Sequence, residues 1–153
     1  MALHYLKGDA VYPLGSNHKF IVHICNNIGA WGGGFTKSIS RRWKQPEVAY
    51  RNLKSRPLGS VQFIQVDTSI TVANIIGQAS IITRTRRNDR PPIRYEAVQI
   101  ALKLVAAEAL KYQASIHMPR IGCGLAGGKW ECIEPIIEQE LVNAGIDVSV
   151  YDL

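Results

Sequence analysis

Three consecutive glycines, Gly32, Gly33 and Gly34, lie in the segment CNNIGAWGGGF at residues 25–35. Glycine permits positive φ and close backbone approach, so successive N–H groups can converge on phosphate oxygens or on a sugar edge. The stretch that follows, FTKSISRRW, is compatible with a helix, whose amino terminus adds favourable polarity toward an anion. A second glycine-rich segment, IGCGLAGG at residues 121–128, follows the short run HMPR and again precedes a helical pattern. In open α/β sheets ligands sit beyond the carboxyl ends of the strands, so two such loops at one edge would wall a single phosphate cleft. A tight strand-to-helix turn is the competing reading of either loop alone; their repetition favours the cleft. Gly122, Gly124 and Gly127 also satisfy G-x-G-x-x-G, which raises a dinucleotide-binding oxidoreductase. Only one strand is expected after that motif, whereas a Rossmann domain runs on into further parallel strands.

These loops need a sheet to carry them. Runs rich in β-branched and aromatic residues predict strands at 4–7, 19–24, 60–65, 70–76, 114–118 and 147–151. Apolar residues at helical spacing after a Pro-Pro entry predict a helix over 94–112, covering one face of the sheet. A second helix is expected over 133–143, closed by Gly145, with Pro135 in its first turn because an interior proline removes a backbone donor. The alternation of strands and helices, without repeats or long linkers, indicates a three-layer α/β domain.

Four segments taken together, GDA at 8–10, HICNNIGAWGGGF at 23–35, MPRIGCGLAGGKW at 118–130 and the ending VSVYDL, resemble the macro domain family over nearly the whole chain. The resemblance is to small stand-alone members that include ADP-ribose-phosphate phosphatases and terminal ADP-ribose protein glycohydrolases. It implies one α/β/α domain over residues 1–153 with a mixed, largely parallel six-stranded sheet, and ADP-ribose or a derivative as ligand. By the same resemblance Asp9 matches the acceptor for the adenine amino group and Asn26 the asparagine at the distal ribose. Gly32, Gly33, Gly34 and Phe35 match the first phosphate loop. Ile121, Gly122, Cys123, Gly124, Leu125 and Ala126 match the second. Trp31 would wall the distal ribose, and Tyr151 and Asp152 would lie near the adenine. Packing roles compete with the ligand roles of Trp31 and Tyr151, and a turn role with that of Asp9.

The resemblance also bears on catalysis. Glycohydrolases of the similar branch carry a lysine on the helix after the first loop and an aspartate after GCGL; Ser40 and Ala126 stand at those positions here. Lys37 lies on the same segment about one helical turn earlier, so it would need a different approach to the ribose. The phosphatase branch instead carries a histidine at the end of the strand before the first loop, and His23 occupies that place. An imidazole exchanges protons near neutral pH, which makes His23 the candidate general acid or base, against the alternative that it only holds the loop. Cys123, between two glycines, ranks below it as a candidate nucleophile. The expectation is hydrolysis of a phosphate, acyl or ADP-ribosyl ester at the distal ribose. A non-catalytic ADP-ribose reader and a nucleic-acid-binding module are the alternatives.

Composition narrows the setting. With 46% hydrophobic and 20% charged residues the chain reads as an ordinary soluble domain, its apolar runs are too short for a membrane span, and its amino terminus lacks a secretory pattern. A cytoplasmic location follows as an expectation. Three cysteines, Cys25, Cys123 and Cys132, without CxxC spacing favour free thiols over a disulfide framework or a zinc site, and no metal or cofactor is expected. The formal charge of +6 favours anionic partners. Two basic runs, Arg41, Arg42 and Lys44 around Trp43, and Arg84, Arg86, Arg87, Arg90 and Arg94, are the basis for nucleic acid as a further partner, while ADP-ribosylated protein as a partner is what the resemblance implies. A solvated helix face and a loop are the plainer readings. Oligomeric state is not specified by the sequence.

Overall fold

The computed structural model describes residues 2–81 and 91–153. Its strands are β1 (Leu3–Lys7), β2 (Lys19–Asn26), β3 (Val61–Asp67), β4 (Ile70–Gln78), β5 (Ser115–Met118) and β6 (Val148–Asp152). They form one sheet in the order β1-β6-β5-β2-β4-β3, parallel throughout except for the β3–β4 pair. The fold is therefore the mixed six-stranded α/β architecture. Because five strands run the same way, the segments that leave β1, β2, β4, β5 and β6 all emerge at one edge, and both glycine loops are among them.

The period-two alternation of β2 splits its side chains between two layers. Phe20 and Val22 face a core with Val98, Leu102 and Val105 of α3 (Tyr95–Tyr112) and Ile133 and Ile137 of α4 (Trp130–Ile137). Ile21 and Cys25 face the opposite core, with Ile39 of α1 (Phe35–Arg42) and Tyr50 of α2 (Gln45–Arg51). His23 shares this second face. Among the described residues, no helix is long and apolar enough to cross a membrane.

One boundary departs from expectation. α4 begins at Trp130, after Lys129 in extended conformation, so Pro135 lies inside the helix and not in its first turn. The N–H it lacks would have served Glu131 O, and both residues are exposed, a setting in which solvent can take the place of the missing donor. The helix then continues as a π-helical turn over Glu138–Val142, in which Asn143 N–H reaches Glu138 O at 2.9 Å.

Candidate functional site

The two glycine loops wall one cavity. It has a volume of about 800 Å³ and is lined on one side by Asn26 and by residues 30–36, on the other by residues 119–122 and 124–126, with His23, Ile24 and Cys25 of β2, Gln78 and Ile81 completing its surface. That volume lies within the range of small-molecule pockets, roughly 300–1,000 Å³. The loops also touch. A β-carbon on Gly33 would come within 2.8 Å of Leu125 Cδ1. Gly34, the residue that opens α1, has φ 58°, and Gly122 and Gly127 have φ 75° and 77°, all in the left-handed region that favours glycine.

Among the described residues, the backbone N–H groups of Gly32, Gly33, Gly34, Gly124 and Leu125 make no intramolecular hydrogen bond. α1 starts here without a side-chain cap and with no acidic residue in its first turn. Its positive end faces the cavity at Phe35 and Thr36. Unpaired amides from two loops and one helix terminus are groups that can receive an anion. Among the described residues, no cluster of three His, Cys, Asp or Glu side chains is placed to hold a metal ion.

Below the loops a polar row crosses three strands on the buried α1/α2 face. Gln62, Asn74 and His23 are register partners on β3, β4 and β2. His23 Nε2 lies 2.5 Å from Asn74 Oδ1, and Asn74 Nδ2 donates to Gln62 Oε1 and Pro46 O, both at 3.2 Å. Since the amide nitrogen is committed to those carbonyls, its oxygen faces the imidazole and Nε2 carries the proton. Nδ1 is left as a buried acceptor with no partner among the described residues. Burial pushes the imidazole down to about 4, opposed by the hydrogen bond to Asn74. His23 is therefore neutral at pH 7, a donor at Nε2 and an acceptor at Nδ1.

Asn26 shapes the first loop. Its Oδ1 accepts from Ile28 N–H and Ala30 N–H, each at 3.1 Å, and lies 2.8 Å from the Tyr50 hydroxyl, while Nδ2 donates to Ala30 O at 2.7 Å. The second amide hydrogen has no partner among the described residues. Trp31 is buried against His23, edge-on at 5.4 Å between centroids, and against Tyr50 at 5.5 Å.

Four candidates lie outside the cavity wall. Asp9 Oδ1 accepts from Val11 N–H at 3.1 Å and so closes the turn after β1. The Tyr151 hydroxyl accepts from Leu14 N–H at 2.9 Å and lies 2.8 Å from His117 Nδ1, which makes it a buried packing residue beneath the 8–18 segment. Lys37 is exposed on α1. Cys123 packs against the α3/α4 core, and burial raises its thiol pKa, so the thiol stays protonated at neutral pH.

Of the basic residues, Arg84, Arg86, Arg87 and Arg90 lie outside the described residues. Arg94 donates to the carbonyls of Pro91, Pro92 and Ile93. Arg42 donates to Val11 O and lies over the rings of Tyr12 and Trp43, and so ties the segment after β1 to α1.

Sequence reasoning missed Asn74, Tyr50 and Arg120. Arg120 lines the cavity, forms a two-pronged pair with Asp152 at 2.8 and 3.0 Å, and lies about 5 Å from the ring centroids of Tyr5 and Trp130. A cation at a strand end beside a glycine loop is the signal that could have found it.

No protein-family model matches the chain. The solved structure of a macrodomain protein from Streptomyces coelicolor matches it with 44% identity and a TM-score of 0.85, covering 99% of each chain. The chain belongs to the macrodomain family. A Bacteroides thetaiotaomicron protein of unknown function matches at 52% identity and TM-score 0.95 over 100% of this chain and 99% of that one. The chain is also 30% identical, over 98% of its length, to chromodomain-helicase-DNA-binding protein 1-like of Danio rerio, and spans only 15% of that protein. It is 26% identical to ADP-ribose 1''-phosphate phosphatase of Candida albicans, over 97% of this chain and 99% of that one. It is 35% identical to ADP-ribose glycohydrolase OARD1 of Homo sapiens, over 48% of this macrodomain and 47% of that protein.

Proposed function

We propose that this macrodomain binds ADP-ribose or a derivative and hydrolyses a phosphate, acyl or ADP-ribosyl ester at its distal ribose. The observation that carries the reading is the pair of glycine loops in contact around one cavity, with unpaired amides on both. In this reading Gly32, Gly33, Gly34, Gly124 and Leu125 take the pyrophosphate. Asn26 and Trp31 meet the distal ribose, and Asp9 receives the adenine at the same sheet edge. The relatives named as a phosphatase and a glycohydrolase of ADP-ribose compounds support this ligand class.

Chemistry is assigned to what the site holds. Loop amides stabilise negative charge that develops at the ester, and the pyrophosphate contacts hold the reacting bond in place. Neutral His23 accepts a proton or a hydrogen bond through Nδ1. At rest it holds no proton at Nδ1, so a proton for the leaving group comes from water or from the proton that His23 has first taken from the attacking water. Calorimetry with ADP-ribose tests binding, and a panel of ADP-ribose phosphate, O-acetyl-ADP-ribose and ADP-ribosylated protein tests turnover. His23→Ala should keep binding and lose turnover.

A reader module is the second reading. It is favoured by the low basicity of His23 and by Ser40 and Ala126 standing where the glycohydrolase branch has a lysine and an aspartate. Binding without turnover on any of the three substrates would select it.

A further inference from the structure

Trp31 is tethered at both its side chain and its backbone. The indole Nε1–H donates to Ser40 Oγ at 2.8 Å, and Ser40 Oγ–H donates to Glu47 Oε1 at 3.0 Å. Arg51 Nε–H donates to Glu47 Oε2 at 2.9 Å, and Arg51 Nη2 returns to the Trp31 carbonyl at 2.8 Å. Four bonds thus close a ring that starts and ends on one residue, through α1 and one turn of α2. Its polar matching is complete at the carboxylate and the hydroxyl. Ser40 uses its oxygen as acceptor and its hydrogen as donor, and each oxygen of Glu47 takes one donor. Both hydrogen bonds hold the Glu47 carboxyl below the usual carboxylate range, Arg51 contributing more than Ser40. Rotation of the indole about its own axis would break the link to Ser40, and a shift of the loop would break the link to Arg51.

We propose that Ser40, Glu47 and Arg51 are positioning residues that act through Trp31, fixing its indole as a rigid wall against the distal ribose. The inference rests on the ADP-ribose reading of the cavity and deepens it. A wall ordered before the ligand arrives spares the cost of ordering it on binding. The ring also accounts for the residue at position 40. Only a group that accepts from an indole N–H while donating to a carboxylate can stand there, and an ammonium has no acceptor. The helix position from which the similar branch projects a lysine is here committed to holding an aromatic surface.

The test compares ADP, which lacks the distal ribose, with ADP-ribose, by calorimetry on the unaltered protein, Glu47→Gln, Trp31→Phe and the double variant. Glu47→Gln keeps the volume of a partly exposed side chain but offers one acceptor oxygen where two donors converge, so the ring opens at one link. ADP-ribose should bind about fivefold more weakly to it, the equivalent of one hydrogen bond. ADP should change by less than about twofold, the range of a surface substitution. The double variant should be no weaker than Trp31→Phe, because Trp31→Phe has already removed the donor that closes the ring. Equal losses for the two ligands, or additive losses in the double variant, would overturn the proposal. A second measurement does not depend on the ligand: the Trp31 indole N–H should exchange with solvent faster in Glu47→Gln than in the unaltered protein. Unchanged protection would also overturn the proposal. Failure of the unaltered protein to bind ADP-ribose would sink the reading of the cavity instead, with the exchange arm still deciding the ring.

Discussion

Gly33 and Leu125 meet across the cavity, so tightly that a methyl group on Gly33 would stand 2.8 Å from the Leu125 Cδ1 carbon. Leu125 is 71% exposed and can swing away, and Gly33 does not have positive φ, so Gly33→Ala should fold almost normally. Its melting temperature should fall by less than about 3 °C, as for a surface change below about 0.5 kcal/mol. ADP-ribose affinity should nonetheless drop by about tenfold, because the methyl group narrows the gap that the phosphate must enter. Unchanged affinity would place the phosphate elsewhere.

Gly128→Ala should behave in the opposite way. There the added carbon would lie 2.4 Å from the Gly122 carbonyl oxygen, to which Gly128 N–H itself donates at 2.6 Å. Backbone cannot step aside as a leucine tip can, so the second loop must distort. Urea unfolding should show a loss of about 1–3 kcal/mol, the usual cost of overpacking.

Tyr50→Phe probes how the first loop is held. The fully buried hydroxyl donates to Asn26 O at 2.6 Å and lies 2.8 Å from Asn26 Oδ1. Its removal should cost about 1–2 kcal/mol in urea unfolding, since a buried carbonyl loses its donor. Ligand affinity should weaken with it, because Asn26 then relies on the loop's own amides.

Stability should fall as the solution is acidified below pH 6.5. His23 and His117 are both pushed down to about 4 by burial, the Lys19 ammonium adding to the effect at His117. Between pH 6.5 and 4 the unfolded chain therefore binds protons that the folded chain refuses, and unfolding free energy decreases with each step of acid. A histidine fully shifted in this way accounts for roughly 3 kcal/mol by pH 4, at about 1.36 kcal/mol per unit. His23→Phe should make the decline of stability between pH 6.5 and 4 visibly shallower. An equally steep decline would mean that His23 is charged in the folded protein.

Much of the frame was legible because its signals are local. Val22 and Ile24 among other β-branched residues mark β2, and the glycines at 32–34 and 122–128 mark loops whose backbone must approach something closely. What the sequence could not convey is register. His23 meets Asn74, and Asn74 meets Gln62, only because three strands pair in one alignment. The ring through Ser40, Glu47 and Arg51 likewise needs α1 and α2 to fold back beside Trp31. Pro135 misled for a related reason. A proline is expelled from a helix when its missing donor strands a buried carbonyl, and exposure of Glu131 removes that penalty here.

In the proposed binding mode, amides from two distant stretches of chain grip one pyrophosphate. Titration of ¹⁵N-labelled protein with ADP-ribose tests it most directly. The N–H resonances of Gly32, Gly33 and Gly34 should move together with those of Gly124 and Leu125, along one saturating curve. Movement confined to one loop, or none at about millimolar ligand, the weak limit of specific binding, would contradict it.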